Sequence, residues 1–389
     1  MRIIMLVHNT IARGTFNRAH SLGRHLAARG NEVTLLAGAS ARAKRQRRNL
    51  NGVEVIEAFD PLPRRARESG LSPFDFFGRL RCLWRDRYDI IHCFDHRPTV
   101  SLPALALARK RKTPCIFDWA DLWGFEGIAS QRGWLSRAFL GSVDQFLEDR
   151  VRHRADALTV INTKLRDRAQ ARFQVPIHLL PVGANSDLIQ PLPKKQMRCR
   201  FGLPEKASIA VHAGLSPYDS EYLARSFIEL VRLHPGAMLV IAGRRFPILD
   251  RIIAEAGFSS QLVRLGMLDR DALAAAMACA DVLLLPYTNR PVNLYRYPNK
   301  LGDYLSAGRP IVTNDTGDLG RLVAEERVGL VVPDTPQAFA AAAKQLFHDE
   351  ALAEELGRRG RALAESKLDW RFLARDLEIF YGQILARHR

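Results

Sequence analysis

The segment 295–310, which reads YRYPNKLGDYLSAGRP, holds the side chains whose types and spacing most clearly indicate chemistry. Pro298 suits the first turn of a helix. Such a helix presents Asn299 and Lys300 at its N-terminus, where free amide groups and the dipole favour an anion. Asp303 follows one turn later, where a carboxylate can accept two hydrogen bonds from neighbouring hydroxyl groups. The segment predicts a diphosphate site beside a ribose site, and an ordinary capped helix is the structural alternative.

A second chemical constellation is Phe117-Asp118-Trp119-Ala120-Asp121-Leu122-Trp123-Gly124, directly after an apolar strand. Carboxylates such as Asp118 and Asp121 can orient a hydroxyl group or take its proton. The indole faces of Trp119 and Trp123 can stack on sugar rings. The structural alternative is a capping aspartate beside packed aromatic side chains, and the pairing of two aspartates with two tryptophans favours a functional site.

Two loops carry weaker signals. The first loop, residues 8–17, contains Gly14 and Thr15 directly before a predicted helix, so its backbone can approach an anion. On the residues of this segment alone, a plain turn between strand and helix explains the loop better. Asp95 and His96 follow another strand and form a similar pair, although a lone histidine is more often structural.

The elements that position these residues alternate between strand and helix. The predicted strands of the first half are 2–8, 32–36, 89–94, 114–118 and 158–161, and those of the second half are 208–213, 238–242, 262–265, 282–285, 310–313 and 329–332. This alternation predicts two doubly wound α/β domains, each with a parallel sheet between helices. Ligands of such open sheets bind at the carboxyl ends of the strands, so the crevice is expected between two facing domains.

Length and composition are consistent with this organisation. A chain of 389 residues exceeds one ordinary core, and Pro191, Pro193 and Lys194-Lys195 indicate a linker. The predicted domains are 1–187 with the aromatic-rich helix 370–389, and 188–369. Five scattered cysteines without a CxxC pair argue against disulfides and zinc and favour the cytoplasm. The short apolar N-terminus is read as a strand, not as a signal peptide.

The formal net charge of +17 lies mostly in residues 1–187. Such a basic half fits an anionic partner or simply an arginine-rich surface. Residues 42–48 and 64–67 are basic clusters. Residues 73–85 combine an apolar stripe that includes Phe76 and Phe77 at helical spacing with Arg79, Arg81 and Arg85 on the polar side. This helix is predicted either to lie on an anionic membrane or to face the core. Nucleic acid is not expected, because no recognition motif accompanies the charge.

The segment 298–310 resembles the "PNKLFEYLAAGKP" segment of the retaining family 4 glycosyltransferases, which have the GT-B fold. The resemblance extends along nearly the whole chain. Residues 14–36 are similar to that family's glycine loop, first helix and second strand, and residues 280–286 are similar to its "aDvfllP" strand. Residues 181–185 resemble its "vpvGvD" segment, and the final helix is similar to one that crosses back onto the N-terminal domain.

The resemblance implies roles for particular residues. Asp303 falls at the ribose-binding glutamate, Lys300 lies near the diphosphate, and Asp121 faces donor sugar and acceptor. The implied catalytic residues are Asp121, Asp118 and Lys300. The implied donor-binding residues are Gly14, Thr15, Gly214, Gly243, Arg244, Met267, Tyr295, Asn299, Lys300, Leu301 and Asp303, and the acceptor-side residues are His96, Trp119 and Trp123.

Two positions depart from the family pattern. Tyr295 stands where many members have a first glutamate, and residues 213–220 lack the usual arginine and lysine that clamp the diphosphate. Lys300 is therefore expected to take over charge neutralisation, with help from Arg244, Arg290 or Arg296. The family relationship implies transfer of a sugar from a nucleoside-diphosphate sugar to a hydroxyl group of a glycan or lipid-linked acceptor, with retention.

No DxD-type metal motif is present, so no metal and no further cofactor are expected. Two other functions remain open at this point. One is a non-catalytic subunit that binds a nucleotide sugar, and the other is a GT-B epimerase that acts on a sugar nucleotide. The expected location is the cytoplasm, with a possible peripheral position on the membrane.

Overall fold

The computed structural model describes residues 1–39, 45–131, 133–214 and 218–388. The chain forms two compact units. Unit 1 comprises Met1–Pro181 together with Trp370–Arg389, and unit 2 comprises Val182–Asp369. The chain therefore leaves unit 1 after Pro181 and returns to it at Trp370.

Unit 1 is built on a sheet with the strand order β3-β4-β2-β1-β5-β6-β7-β8. Its strands are β1 (Arg2–Leu6), β2 (Glu32–Ala37), β3 (Gln46–Leu50), β4 (Val53–Glu57), β5 (Ile90–Cys93), β6 (Cys115–Trp119), β7 (Ala157–Val160) and β8 (Ile177–Leu179). Neighbouring strands pair in parallel except for β3, which runs antiparallel to β4. The residues of β1 from Ile3 to Leu6 are fully buried, as expected for a central strand covered on both faces.

The helices of unit 1 include one that arrives from the far end of the chain. They are α1 (Thr15–Ala28), α2 (Arg64–Arg67), α3 (Pro73–Arg85), α4 (Pro98–Arg111), α5 (Trp134–Arg152), α6 (Thr163–Gln170) and α16 (Trp370–His388), with a 3₁₀ turn at Ile128–Gln131. The hydroxyl group of Tyr381 on α16 lies 2.6 Å from His92 Nδ1 on β5. Burial lowers the pKa of His92 to about 3, so its ring is neutral and accepts this hydrogen bond.

Unit 2 repeats the pattern with a parallel sheet of order β11-β10-β9-β12-β13-β14. Its strands are β9 (Ser208–Gly214), β10 (Ala237–Gly243), β11 (Leu262–Gly266), β12 (Val282–Leu285), β13 (Ile311–Asn314) and β14 (Gly329–Val332). Its helices are α7 (Lys194–Arg200), α8 (Ser220–Leu233), α9 (Pro247–Glu255), α10 (Arg270–Ala278), α11 (Pro291–Leu294), α12 (Lys300–Ser306), α13 (Gly317–Glu325), α14 (Pro336–His348) and α15 (Glu350–Leu363), with a 3₁₀ turn at Ser259–Gln261 and a π-helical turn at Ala364–Leu368.

The core of unit 2 lies between the sheet and the helices α8, α9, α14 and α15. Phe227, Leu239 and Phe339 are among its fully buried side chains. The amphipathic pattern of α8 explains this position, because its apolar residues recur at three- and four-residue spacing and are buried along the helix. The core holds the strands in place and leaves their carboxyl ends free to carry the loops of the site.

The prediction of two doubly wound α/β domains is confirmed. Residues 46–48, the end of the basic cluster 42–48, lie in the edge strand β3, which the sequence did not predict. Lys194 and Lys195, expected in a linker, begin α7. Residues 42–44 of that basic cluster lie outside the described residues. All five cysteines are free thiols. In the described part of the chain, no helix has the length and apolarity that a membrane span requires.

Candidate functional site

Lys300 is the first residue of α12 and lies over the carboxyl end of β9. Its Nζ atom donates to His212 Nε2 at 3.5 Å. A Cβ atom at Gly214, the last residue of β9, would lie only 2.7 Å from Lys300 Nζ. Glycine at this position therefore leaves the space that the lysine side chain occupies.

The charge of Lys300 depends on its neighbours. His212 Nδ1 is 3.0 Å from the carbonyl oxygen of Leu284, so Nδ1 carries the proton and Nε2 accepts from the lysine. Burial and the adjacent Lys300 hold the pKa of His212 well below its ordinary value. Burial lowers the pKa of Lys300 to about 8, Asp219 opposes this change and Arg296 adds to it. Lys300 is thus a buried cation beside a neutral imidazole, with a capacity to bind an anion.

Asp303 lies one helical turn after Lys300, on the same helix. Its Oδ1 atom accepts a hydrogen bond from Asn185 Nδ2 at 3.2 Å. Burial raises the pKa of Asp303 to about 6, against the effects of Asn185 and Arg270. The carboxylate is ionised at neutral pH and can accept further hydrogen bonds from hydroxyl groups.

Asp219, which the sequence did not single out, lies directly before α8 and contacts residues that follow β12. Asp219 Oδ1 accepts hydrogen bonds from Thr288 Oγ1 at 2.5 Å and from Asn293 Nδ2 at 3.3 Å. Arg290 donates to the carbonyl oxygen of Tyr218, and the guanidinium group of Arg296 lies 4.7 Å from the centroid of the Tyr218 ring. Two of the three arginines that were expected to assist Lys300, Arg290 and Arg296, are therefore next to Tyr218.

The remaining predicted donor residues differ in position. Gly243, with φ of +131°, ends β10, and a Cβ atom there would lie 2.1 Å from the carbonyl oxygen of Gly214. The amide of the exposed Arg244 donates to that same oxygen at 3.2 Å. Met267 follows β11 and is 67% exposed, whereas Leu301 is buried in the core. Leu301 therefore cannot offer its side chain to a ligand in this structure.

Asn299 and Tyr295 complete the predicted set in unit 2. Asn299 is exposed and precedes α12 in a helical conformation, without a capping hydrogen bond from its side chain. Tyr295 is half-buried. The helix is shorter than its sequence suggested, because it begins at Lys300 and has seven residues. A short helix has a weak dipole, so the positive charge of this site comes mainly from Lys300.

In unit 1, Asp118 is part of a buried ion pair. Arg18 donates to both carboxylate oxygens, at 2.9 Å from Nε and 3.1 Å from Nη2, and Thr159 Oγ1 donates to Oδ1 at 2.6 Å. Arg18 also donates to the carbonyl oxygens of Leu180 and Pro181. Asp118, expected to be catalytic, therefore holds the sheet and α1 together, and its oxygens are already occupied.

Trp119 also differs from the expectation. Its side chain is fully buried, and Nε1 donates to Glu148 Oε1 at 2.7 Å, so it offers no face to a sugar. Glu148 also accepts hydrogen bonds from the amides of Trp123 and Gly124. Burial raises the pKa of Glu148 to about 7, against the opposing charge of Arg152. Glu148 thereby fixes the loop that carries Asp121.

Asp121 and Trp123 lie in that loop, at the carboxyl end of β6, and both are half-buried. The guanidinium group of Arg97 lies 4.3 Å from the centroid of a Trp123 ring, and the His96 ring meets Trp123 edge-on at 5.8 Å. Burial lowers the pKa of His96 to about 3, although Asp95 opposes the change. The structure thus brings His96 and Trp123 together, as a neutral imidazole packed on an indole.

The glycine loop is organised by Asn9. Its Oδ1 atom accepts from the Thr15 amide at 2.9 Å and from Thr15 Oγ1 at 2.7 Å. Gly14 adopts φ of +47°, a conformation that favours glycine. Asn9 Nδ2 lies 3.2 Å from His8 Nε2, and His8 Nδ1 forms an ion pair with Asp95. The loop and Asp95 are therefore linked through His8 and Asn9.

Several of these residues carried a signal that was overlooked. Arg18 lies four and eight residues before Leu22 and Leu26, on the apolar side of α1, and a charged residue on such a stripe indicates a buried ion pair. No comparable signal marks Asp219, whose partners Thr288 and Asn293 are distant in sequence, or the contacts of Glu148 with Trp119, Trp123 and Gly124. Among the described residues, no group of three or more His, Cys, Asp or Glu side chains is arranged to hold a metal ion.

The two aspartates of the segment 117–124 are expected to respond differently to mutation. Asp118→Ala leaves Arg18 buried without its carboxylate, so it should lower the free energy of unfolding by about 3–5 kcal/mol. Asp121→Asn should change it by less than about 1 kcal/mol, the contribution of one hydrogen bond. Denaturant unfolding measures both values, and equal losses would contradict the structural role of Asp118.

Family models match both units. The model described as "Glycosyl transferase 4-like domain" matches residues 13–183, and "Glycosyl transferases group 1" matches residues 208–349. The curated relatives include a glycogen synthase of Mycobacterium tuberculosis, 27% identical over 306 residues, which cover 76% of this chain and 70% of the relative.

Solved structures share the fold. Sucrose-phosphate synthase from Thermosynechococcus elongatus superposes with a TM-score of 0.82 at 19% identity, covering 100% of both chains. HepE from Anabaena, solved in complex with UDP and glucose, superposes with a TM-score of 0.75 at 13% identity, covering 98% of this chain and 100% of that one. At these identities the likeness establishes the fold of the two units.

Proposed function

The chain belongs to the family 4 glycosyltransferases with the GT-B fold, and we propose that it transfers a sugar from a nucleoside-diphosphate sugar to a hydroxyl group with retention of configuration. The observation that carries the proposal is the position of Lys300, over Gly214 and beside the neutral His212. Asp303, one turn further along α12, suits the ribose. HepE was solved with UDP, and a starch synthase of similar fold with ADP, which supports a nucleoside diphosphate in this chain.

In the proposed reaction, the bond between the anomeric carbon and the diphosphate oxygen breaks, and the acceptor oxygen bonds to that carbon from the same face. The acceptor proton passes to the leaving phosphate oxygen. Lys300 would stabilise the negative charge that develops on the diphosphate. Arg290 and Arg296, which both contact Tyr218, would assist it. Asp121, which Glu148 helps to position, would orient the acceptor hydroxyl. We infer that no metal ion is required, since Lys300 supplies the charge.

A nucleotide-sugar-binding subunit without turnover is the second candidate. The observation that favours it is Tyr295, a half-buried tyrosine where many members of the family have a glutamate. A panel of UDP-, ADP- and GDP-sugars, followed by mass spectrometry with and without EDTA, separates the two. Nucleotide release that is unchanged by EDTA is the expected result. A thermal shift with no release of nucleotide would indicate the binding subunit.

The affinity for a nucleoside diphosphate is expected to be highest between about pH 6 and about pH 8. Asp303 becomes ionised above its raised pKa of about 6, and Lys300 loses its charge above its lowered pKa of about 8. Lys300→Ala should weaken binding at pH 7 by roughly tenfold to a hundredfold, as expected for loss of a charge-assisted hydrogen bond. Calorimetric titration with UDP, ADP and GDP from pH 5 to 9 measures this.

The same titration, made with variants, shows which residue causes the fall in affinity on each side of the pH optimum. Asp303→Asn should remove the fall in affinity below pH 6, and Lys300→Ala should remove the fall above pH 8. Arg245→Gln is a suitable control, because Arg245 is exposed and pairs with Asp250. An unchanged upper limb in Lys300→Ala would contradict the assignment of Lys300 to the diphosphate.

For the acceptor, we propose a cell-envelope glycan or lipid-linked molecule, reached from a peripheral position on the cytoplasmic face of an anionic membrane. The exposed side of α3 supports this proposal, with Phe74, Phe77, Arg81 and Trp84 at three- and four-residue spacing. The ammonium group of Lys110, on α4, lies 3.8 Å from the centroid of a Trp84 ring. Aromatic and basic side chains together are typical of helices at membrane interfaces.

This face differs from the one expected from the sequence. Arg79 was assigned to the polar side of the helix, but it is fully buried and its Nε atom donates to Asp75 at 2.8 Å. Phe77, in contrast, is 65% exposed. The ion pair with Asp75 allows Arg79 to lie on the core side of α3, and Phe74, Phe77 and Trp84 are exposed to solvent.

Liposome flotation tests the membrane proposal. The chain is expected to float with vesicles that contain anionic lipids at low salt, and Phe77→Ser with Trp84→Ser should reduce the bound fraction several-fold. Ile379→Ser is a matched control, because Ile379 is an exposed apolar residue on α16. Absence of binding by the unchanged chain at low salt would contradict the proposal.

A further inference from the structure

Buried arginines in this protein almost always face a carboxylate. Arg18 pairs with Asp118, Arg79 with Asp75, Arg152 with Glu148 and Arg198 with Asp281. Arg67 is the exception among the described residues. It is 7% exposed and forms no ion pair there. Every aspartate and glutamate of the sequence belongs to the described residues, so no carboxylate elsewhere in the chain supplies the missing charge.

The contacts of Arg67 satisfy only part of its guanidinium group. Nη1 donates to the carbonyl oxygen of Ala39 at 3.0 Å, and the buried Nε atom has no hydrogen-bond partner among the described residues. The nearest acidic residue in sequence, Glu68, binds Arg64 at 2.9 Å and Arg13 at 3.1 Å. Asp60, which precedes α2, accepts from the amide of Leu62 and forms no ion pair with Arg67.

Arg67 is at the edge of the sheet where ligands of this fold bind. Ala39, its backbone partner, follows the carboxyl end of β2, next to β1 and the His8 that follows it. The contact between Arg13 and Glu68 joins the end of α2 to the glycine loop. Arg67 therefore lies on the same edge of unit 1 as Asp121, separated from it by the strands β1 and β5.

A buried guanidinium group without a counter-charge is unfavourable unless an anion completes it. The carboxylate of Glu68 pairs with Arg13 and Arg64, so it does not compensate the positive charge of Arg67. A phosphate monoester carries about −1.5 to −2 at neutral pH and accepts paired hydrogen bonds from a guanidinium fork. The uncompensated charge of Arg67 and the unpaired donor at its Nε atom both suit such a group.

We propose that Arg67 binds a phosphate group on the acceptor, so that the enzyme selects phosphorylated acceptors. This inference rests on the proposed glycosyl transfer and names the acceptor class for the same reaction. The phosphate belongs either to a water-soluble sugar phosphate, which is a monoester, or to a phospholipid-linked acceptor, which is a diester with a single charge. Both present anionic phosphate oxygens that a guanidinium group can bind. Arg67 is a specificity residue here, and Asp121 remains the residue assigned to the reacting hydroxyl.

Phosphate binding is tested by thermal unfolding with inorganic phosphate, with glucose 6-phosphate and with glucose. The Lys300→Ala chain is used as background, so that the donor site does not contribute. Phosphate and glucose 6-phosphate should raise Tm in this background and glucose should not, and Arg67→Met should abolish the rise. Arg64→Gln is the matched control and should keep it. A rise that is independent of Arg67, or no rise at all, overturns the proposal.

Stability without ligand gives a second, independent result. Because Arg67 has no carboxylate to leave behind, Arg67→Met is expected to unfold at the same temperature as the unchanged chain or higher. Arg79→Met leaves the buried Asp75 without its ion-pair partner, so this variant should unfold at a lower temperature. If Arg67→Met is destabilised as much as Arg79→Met, or fails to fold, Arg67 is structural and the proposal is wrong.

Transfer assays then show which kind of phosphorylated acceptor is used. They also test the selection of phosphorylated acceptors separately from the proposed glycosyltransferase activity. Donor hydrolysis by the unchanged chain tests glycosyl transfer alone. With an active donor, transfer to glucose 6-phosphate or to vesicles containing phosphatidylinositol should exceed transfer to glucose or neutral glycolipid at least tenfold. Either phosphorylated acceptor supports the proposal. Equal transfer to the neutral partners overturns it while leaving the proposed glycosyltransferase function intact.

Discussion

The bidentate ion pair between Arg18 and Asp118 is the interaction on which the order of unit 1 depends. It joins α1 to β6 and, through the carbonyl oxygens of Leu180 and Pro181, to the segment that leaves the unit. Thr159 and His92 extend it into a chain of hydrogen bonds across three strands. A buried network of this kind is stabilising only when every member is satisfied. The loops at the carboxyl edge, including that of Asp121, are built outward from it.

In unit 2, close backbone contacts at glycines, not a buried ion pair, position the residues of the candidate site. Gly214 makes room for Lys300, and Gly243 approaches the carbonyl oxygen of Gly214 more closely than any side chain would allow. Gly302 brings α12 against the carbonyl oxygen of Gly183 in the same way. These close approaches bring the lysine, the imidazole of His212 and the carboxylate of Asp303 to one edge of one sheet. Small residues thus determine where the charged ones lie.

The sequence predicted the parallel strands well, because strands buried on both faces are continuous apolar runs that local inspection detects. It also predicted the positions of Lys300 and Asp303, which follow from one short helix. It missed β3, whose exposed and strongly basic residues lack a buried face, and it also missed the short parallel strands β4 and β8. It assigned Asp118, Trp119 and Arg79 to exposed roles. Those three are buried by partners that lie 100, 29 and 4 residues away in the chain, and only the last pairing is local. Whether a polar residue is buried depends on the partner that it pairs with, and the pattern of residues along the sequence does not identify a distant partner.

The bond between Tyr381 and His92 has a consequence for synthesis on the ribosome. Unit 2 is one continuous stretch, Val182–Asp369, so all its strands can assemble as soon as that stretch has emerged. Unit 1 lacks α16 until residues beyond 370 follow, and its His92 and the apolar surface beneath α16 have to wait for them. Residues 1–181 are therefore synthesised before unit 2 but complete their fold after it. Until α16 arrives, the apolar surface of unit 1 that α16 covers is exposed, and this surface is where a chaperone would be needed most.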